Sequence, residues 1–174
     1  MGAVDGIALR LVERSDVPRL HESLRALSHD LGDAHVAGVD ELMQAAFGPA
    51  PVLRAQLAEI GPGPLWGVAV YSPAFSTTRG AAGAYVSDLW VSPRARGAGL
   101  GQRLLGAVAQ DAALHWRAGF IRLTVYDDNP AAQRFYARLG FVPARGETVF
   151  TLGREGMVAL GPGRDDQRVG ISPK

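Results

Sequence analysis

Apolar and polar positions alternate from Ile7 to Val12, the two-residue period of a half-buried strand. The spacing then changes to threes and fours through Leu20, Leu24 and Leu27, which predicts a helix that Ser15 or Asp16 caps and Pro18 opens. A second short helix is expected over Gly38 to Phe47, a second strand over Val52 to Ile60, and after the GPGP turn a third strand over Leu65 to Tyr71. Ser72 to Gly83 reads as a loose turn before a fourth strand that ends in VSDLWV. A long helix follows from GQRLLGAVAQDAALHW, then a fifth strand in FIRLTVYD and a short helix from Asn129 to Gly140. Phe141 to Val142 and Thr148 to Leu152 are expected to pair as the last strands. Residues 1–160 then make one α/β domain, and the polar, Gly- and Pro-punctuated residues 161–174 are expected to be a disordered tail.

The junction between the fourth strand and the long helix, VSPRARGAGLG, carries the first candidate chemistry. Gly97, Gly99 and Gly101 fall at alternate positions, where the backbone can take conformations closed to other residues and approach a ligand closely. The helix behind them begins with unpaired N–H groups and partial positive charge, and Arg94 and Arg96 add full charges. A diphosphate suits this arrangement. No Gly-Lys-Ser/Thr closes the loop, and the first βα unit of a dinucleotide fold would lie nearer the N-terminus, so neither a Walker-type NTPase nor a Rossmann enzyme fits. A turn that merely joins strand to helix would look the same from this segment alone.

The second block is NPAAQRFYARLGF, residues 129 to 141. Asn129 is its N-cap, Pro130 its first residue and Gly140 its C′ residue. Ala132, Phe135, Tyr136 and Leu139 share one face, so Tyr136 points inward and its hydroxyl needs a partner, as a core tyrosine or as a reactive one.

Together the two blocks resemble the GNAT superfamily of N-acetyltransferases. Arg94-Ala-Arg-Gly97-Ala-Gly99, overlapping Arg96-Gly-Ala-Gly99-Leu-Gly101, is similar to that family's Q/R-x-x-G-x-G/A signature, and the Asn…Phe-Tyr…Leu-Gly-Phe block to its next segment, so that the likeness spans residues 83–142. DELMQAAFGPAP and WGVAVYSPAFSTTRGAAGAYVSDLWVSP further resemble the diamine (spermidine/spermine and thialysine) branch, with Ser87-Asp88 where that branch carries Glu-Asp. The resemblance implies a mixed, mostly antiparallel sheet flanked by helices, with splayed parallel fourth and fifth strands, and acetyl-CoA as co-substrate. It implies that the main chain of Leu89, Trp90 and Val91 receives the pantetheine arm. The N–H groups from Gly97 through Ala98, Gly99, Leu100 and Gly101 to Gln102 would receive the diphosphate beside Arg94 or Arg96, with Asn129 and Ala132 on the other wall. It implies that Tyr136 is the acid toward the leaving thiolate, and that the enzyme is a homodimer.

An alkyl amine of pKa about 10.4 is free base in only about 1 molecule in 2,500 at neutral pH, so a base is wanted. Asp88 is the nearest carboxylate, yet strand alternation puts Ser87 and Asp88 on opposite faces, so only one of them is expected to face the splay. Asp30 and Asp33, in SHDLGDAH, are candidate readers of a cationic acceptor, or simply solvated. His29 and His35 in the same loop are candidate bases but carry no metal-ligand spacing, and no metal is expected. Trp66, Tyr71, Phe75, Tyr85 and Trp90 are candidate walls of an acceptor pocket or core residues.

The chain has 174 residues, 47% hydrophobic and 20% charged, which suits one folded domain. A net charge of +1 supplies no basic field for nucleic acid or a membrane surface. The absence of cysteine rules out a disulfide framework and a thiolate nucleophile, in keeping with a cytoplasmic enzyme. No apolar run approaches the roughly 18 residues of a membrane span, and no targeting segment is seen. The expected function is acetyl transfer from acetyl-CoA to a primary amine of a small, cationic acceptor. The alternatives are a peptide, protein or antibiotic acceptor, an acyl-CoA-binding regulatory module without turnover, and a protein whose Gly turn packs on another chain.

Overall fold

Residues 6–144 and 146–160 are described by a computed structural model. The chain divides into two compact units, Met1–Phe135 and Tyr136–Lys174. The first is built on a sheet of β1 (Ala8–Leu11), β2 (Arg54–Glu59), β3 (Gly67–Ser76), β4 (Ala81–Val91) and β5 (Ile121–Leu123), in that order. The first four pair antiparallel and β4 pairs β5 in parallel, as expected. Between β1 and β2 run α1 (Val17–Leu31) and α2 (Val39–Phe47), and between β4 and β5 runs α3 (Leu100–Trp116).

β2 is buried at Ala55, Gln56, Leu57 and Ala58, so both of its faces are covered. One face belongs to α1 and α2: Val17, Leu20 and Leu24, one helical stripe, join Leu42, Leu57, Val68, Val70 and Trp90 in a single apolar cluster. The other face meets α3 through buried Leu100, Leu104, Val108 and Ala112. A polar clamp fixes α3 to the sheet. Arg54 grips Asp111 with two hydrogen bonds of 2.6 and 2.7 Å, and the fully buried Tyr71 donates its hydroxyl to Asp111 Oδ2 at 2.5 Å. Burial pushes the Asp111 carboxyl up, but the Arg54 and Tyr71 hydrogen bonds outweigh it and hold the group below the usual carboxylate range.

Asp16 is the residue before α1, as expected, but its carboxylate does not cap that helix. It accepts 2.6 and 2.8 Å bonds from Arg10 and a 2.9 Å bond from the Glu13 N–H, and so ties β1 to the start of α1.

Three expectations need correction. Ser72 to Gly83 is no loose turn: β3 and β4 pair on to Ser76↔Ala81, leaving only 77–80 as the turn. Pro73 reads as a strand breaker, but β2 pairs with β3 no further than Tyr71, so at Pro73 one edge of β3 has no strand beside it and a missing N–H is tolerated. The fifth strand is three residues, not eight. In the second unit, none of the described residues between 141 and 153 is in a strand, and α5 (Arg154–Leu160) follows instead. A two-residue run such as Phe141–Val142 offers too few ladder bonds to offset its ordering, and Val149 and Phe150 stay exposed.

The short helix is α4 (Pro130–Arg138). Asn129 Oδ1 accepts the Ala132 N–H at 3.0 Å, and Gly140 sits at φ 90°, so both predicted ends hold. Ala132, Phe135, Tyr136 and Leu139 are half-buried while the residues between them are exposed, as the spacing predicts. At the second unit's start the Tyr136 carbonyl accepts the N–H groups of Leu139 and Phe141. Its ring meets Phe141 edge-on at 5.4 Å. The expected tail at 161–174 lies outside the described residues.

Candidate active site

β4 and β5 pair at only three positions, Ala84↔Ile121, Tyr85↔Arg122 and Val86↔Leu123. Beyond Val86 the edge of β4 toward β5 is open. Ser92 donates its N–H to Trp66 O on the β3 side, so by alternation Trp90 also faces β3 while Leu89 and Val91 turn their main-chain groups to the open edge. Of these, Val91 O already accepts Arg96 Nε at 3.0 Å. Trp90 serves the core: its ring is buried and its Nε1 donates to Asp30 Oδ2 at 3.2 Å.

The register breaks just where the open edge begins. Val70 pairs with Asp88 and Tyr71 with Val86, so Ser87 is one residue too many on β4. Such a bulge cancels the strict alternation of faces. The expectation that Ser87 and Asp88 point apart is thereby corrected. Ser87 Oγ lies 2.7 Å from Asp88 Oδ2, and both line one cleft of about 440 Å³. Leu24 and Ser28 of α1, His35 of the α1–α2 loop, and Tyr71, Ser72 and Tyr85 of the hairpin are among its other walls.

At the far end of the open edge Pro93–Ala95 makes a single 3-10 turn, followed by Arg96 and the glycine turn. Gly97 and Gly99 stand at φ 78° and 79°, left-handed backbone in which a side chain is strained. Gly99 is the N-cap of α3 and, having no side chain, leaves the first N–H groups of that helix uncapped. A Cβ at Gly97 or Gly99 would meet nothing within 4 Å, so the turn faces open space. Leu100 is buried in the core, while Ala98 and Gln102 are exposed beside the turn. A Cβ at Gly101 would stand 3.0 Å from the Phe135 ring, so α4 packs directly on the start of α3 and brings Asn129 and Ala132 alongside. Uncapped donors, open space and a helix terminus fit a diphosphate.

Both arginines have partners. Arg94 stacks over Trp66 at 4.7 Å, and Arg96 pairs with Asp30 through Nη2. Asp30 and Asp33 do not line the cleft. Asp30 takes Arg96 and Trp90, and Asp33 accepts the Tyr126 hydroxyl at 2.9 Å. Asp30 anchors the end of α1, and Asp33 the loop that carries His35. His29 is exposed, and among the described residues no cluster of three metal-ligating side chains occurs. Of the aromatic candidates, Tyr71 and Tyr85 reach the cleft, whereas Phe75 is exposed at the hairpin end.

A family profile described as "Acetyltransferase (GNAT) family" matches residues 29–141. The chain belongs to the GNAT acetyltransferase family. It is 30% identical over 141 residues to the thialysine N-epsilon-acetyltransferase of Mus musculus, covering 76% of this chain and 82% of that protein. Its fold matches an integron cassette protein from the mobile metagenome of V. cholerae, with a TM-score of 0.74 at 22% identity over 91% of this chain and 99% of the other. It also matches an aminoglycoside N-acetyltransferase in complex with CoA, with a TM-score of 0.68 at 16% identity over 85% and 95% of the two chains. As a GNAT enzyme the chain is an N-acetyltransferase with acetyl-CoA as co-substrate.

For this GNAT chain the glycine turn and α4 were legible from sequence because caps and glycines mark them. The Ser87 bulge and the cleft position of His35 were missed. The only sequence signal for the latter was a histidine in a Ser-, Asp- and Gly-rich loop between two helices.

Proposed function

We propose that this GNAT enzyme acetylates the primary amine of a small, cationic acceptor that enters the cleft beside Ser87 and Asp88. The observation that carries this reading is the bulge, which gathers a hydroxyl and a carboxylate into one partly apolar cleft at the start of the open β4 edge. An ammonium group is favoured beside a carboxylate, and the same carboxylate accepts an N–H. The thialysine N-epsilon-acetyltransferase relatives point to the same class of acceptor.

Acetyl-CoA supplies the thioester carbonyl. Leu89 and Val91 offer main-chain groups to an extended arm, and the N–H groups from Gly97 to Gln102 suit its diphosphate. For Arg96 to join them it must part from Asp30. Asp88 draws the proton from the amine, with Ser87 holding its carboxylate in place. For Tyr136 we carry over the acid role that the resemblance implies. Burial pushes its phenol up to about 12, so it keeps its proton at neutral pH and acts as a hydrogen-bond donor toward a thiolate of ordinary basicity, about 8.5, rather than by full transfer. We further propose a homodimer, supported by the exposed Val142, Val149, Phe150, Met157 and Leu160.

The test is release of CoA thiol with acetyl-CoA against putrescine, spermidine, lysine analogues, aminoglycosides and short peptides. Release that needs a small amine and falls in Asp88→Asn supports the reading. Release only with peptides would replace it.

A further inference from the structure

The cleft beside the bulge is uneven in its chemistry. Among the described residues that line it, Asp88 is the only carboxylate, and none is a glutamate, lysine or arginine. The other polar groups are hydroxyls and the His35 imidazole. The Tyr71 hydroxyl is turned to Asp111, Ser28 Oγ lies 3.0 Å from His35 Nδ1, and the Ser87 hydroxyl serves Asp88. Negative charge is thus confined to the bulge.

Away from the bulge the lining is aliphatic: Ala34, Val36 and Ala37 of the α1–α2 loop, Leu42 of α2, and Val52 and Leu53 ahead of β2. Val36 is 89% exposed and Val52 64%, so aliphatic side chains form the open rim, while Leu42 is buried beneath. A single exposed valine needs no explanation, but these two stand on the same cleft as the carboxylate. The rim is also held in place. The N–H groups of Val52 and Leu53 donate to the Ala45 carbonyl at 2.8 and 3.3 Å, which ties this segment to α2. Asp33 fastens the loop that carries Val36 to Tyr126, and at its end the Gly38 N–H donates to Glu41 at 3.0 Å.

An acceptor that enters here has its reacting ammonium at Asp88 and the rest of its body against aliphatic side chains. One carboxylate suits one ammonium. A second positive charge along that body would leave water without a partner, which is costly, whereas each methylene placed there is favourable. Two further carboxylates, Asp40 and Glu41, line a separate surface groove that shares only Val52 with the cleft. Both residues are exposed, Glu41 already takes the Gly38 N–H, and an ion pair made in water contributes little.

We propose that this cleft selects a primary amine with a single positive charge and an apolar body, an alkylamine rather than a diamine or polyamine, with Val36 and Val52 meeting its carbon chain at the rim. The inference rests on the reading of the cleft as the acceptor site, and it narrows the class of acceptor.

Release of CoA thiol with matched amines tests it. In n-pentylamine a methyl replaces the distal ammonium of putrescine, and wild-type kcat/KM should be about 10-fold or more higher for n-pentylamine. From ethylamine to n-pentylamine kcat/KM should rise, by up to about fourfold for each methylene. Val36→Asp and Val52→Asp change exposed positions and should melt within a few degrees of wild type. Each should lower kcat/KM for n-pentylamine, raise it for putrescine, and leave KM for acetyl-CoA unchanged. Putrescine turned over as well as n-pentylamine, or a preference that neither aspartate variant moves, overturns the apolar selection; the acceptor reading stands if Asp88→Asn still lowers both rates. Rates indifferent to Asp88→Asn, or a wild-type enzyme that turns over no amine, overturn both.

Discussion

The same substitution, glycine to alanine, should have opposite effects at two places on α3. At Gly99 the backbone is left-handed, φ 79° and ψ 1°, and an L side chain there costs about 1–2 kcal/mol although its Cβ would touch nothing. At Gly106 the backbone is helical and exposed, and the Cβ again meets nothing within 4 Å, so alanine should stabilise by about 0.8–1 kcal/mol. For a chain of this size that predicts a Tm about 2–4 °C higher for Gly106→Ala and about 2–8 °C lower for Gly99→Ala. The effect on ligand should separate them further. Alanine at 99 relaxes by turning N–H groups away from the open side of the turn, and each hydrogen bond lost to a charged group is worth about 1.5–3 kcal/mol, or roughly 10- to 150-fold in Kd. Calorimetric titration with CoA should therefore show weaker binding by Gly99→Ala and unchanged binding by Gly106→Ala. A Gly99→Ala protein as stable as wild type and equally tight for CoA would refute the claim that this left-handed turn presents the donors.

Other outcomes follow from the same geometry. Tyr136→Phe should keep CoA affinity but lower kcat, read in the thiol-release assay; unchanged turnover would remove the phenol from the reaction. Asp111→Leu should destabilise by about 3–5 kcal/mol in urea titrations because Arg54 and the Tyr71 hydroxyl lose their partner, and the double variant with Arg54→Met should recover much of the loss. Arg10 lowers the Asp16 carboxyl from 3.8 to about 2. A folded-state pKa below the unfolded one means stability that is complete above pH 3.8, about 2 kcal/mol, and lost as pH falls toward 2. Melting curves across that window should be steep for wild type and flatter for Arg10→Gln.

Much of this architecture was legible because local rules suffice for it. Pro130, the Asn129 cap and Gly140 bound α4 without help from the rest of the chain, and Gly97 and Gly99 announce a turn that only glycine tolerates. Elements that depend on a distant partner were not legible. The hairpin of β3 and β4 runs through Pro73 because the two strands hold each other. Asp30 and Asp33 read as candidates for a cationic ligand, yet Arg96 and Tyr126 claim them, and nothing in SHDLGDAH reveals residues 66 and 93 positions away.

The most consequential error, the face assigned to Asp88, has a simple physical origin. Strand alternation assigns faces by counting, and counting presumes that every residue has a partner on the next strand. On β4 that fails at Ser87, because β3 passes from Val70 to Tyr71 while β4 passes from Asp88 to Val86. From that point on, a residue's parity no longer tells its face, and Asp88 joins Ser87 instead of opposing it. The bulge lies one residue past the last β4–β5 pair at Val86↔Leu123, so the irregular backbone falls where the strands part. A regular strand would have presented one side chain to the opening; the bulged one presents a hydroxyl and a carboxylate together, and His35 comes to the same cleft from the loop across it. Ser87, Asp88 and His35 were each legible as candidates, but their meeting in one cleft depends on a departure from regular structure, which patterns of regular structure do not reveal.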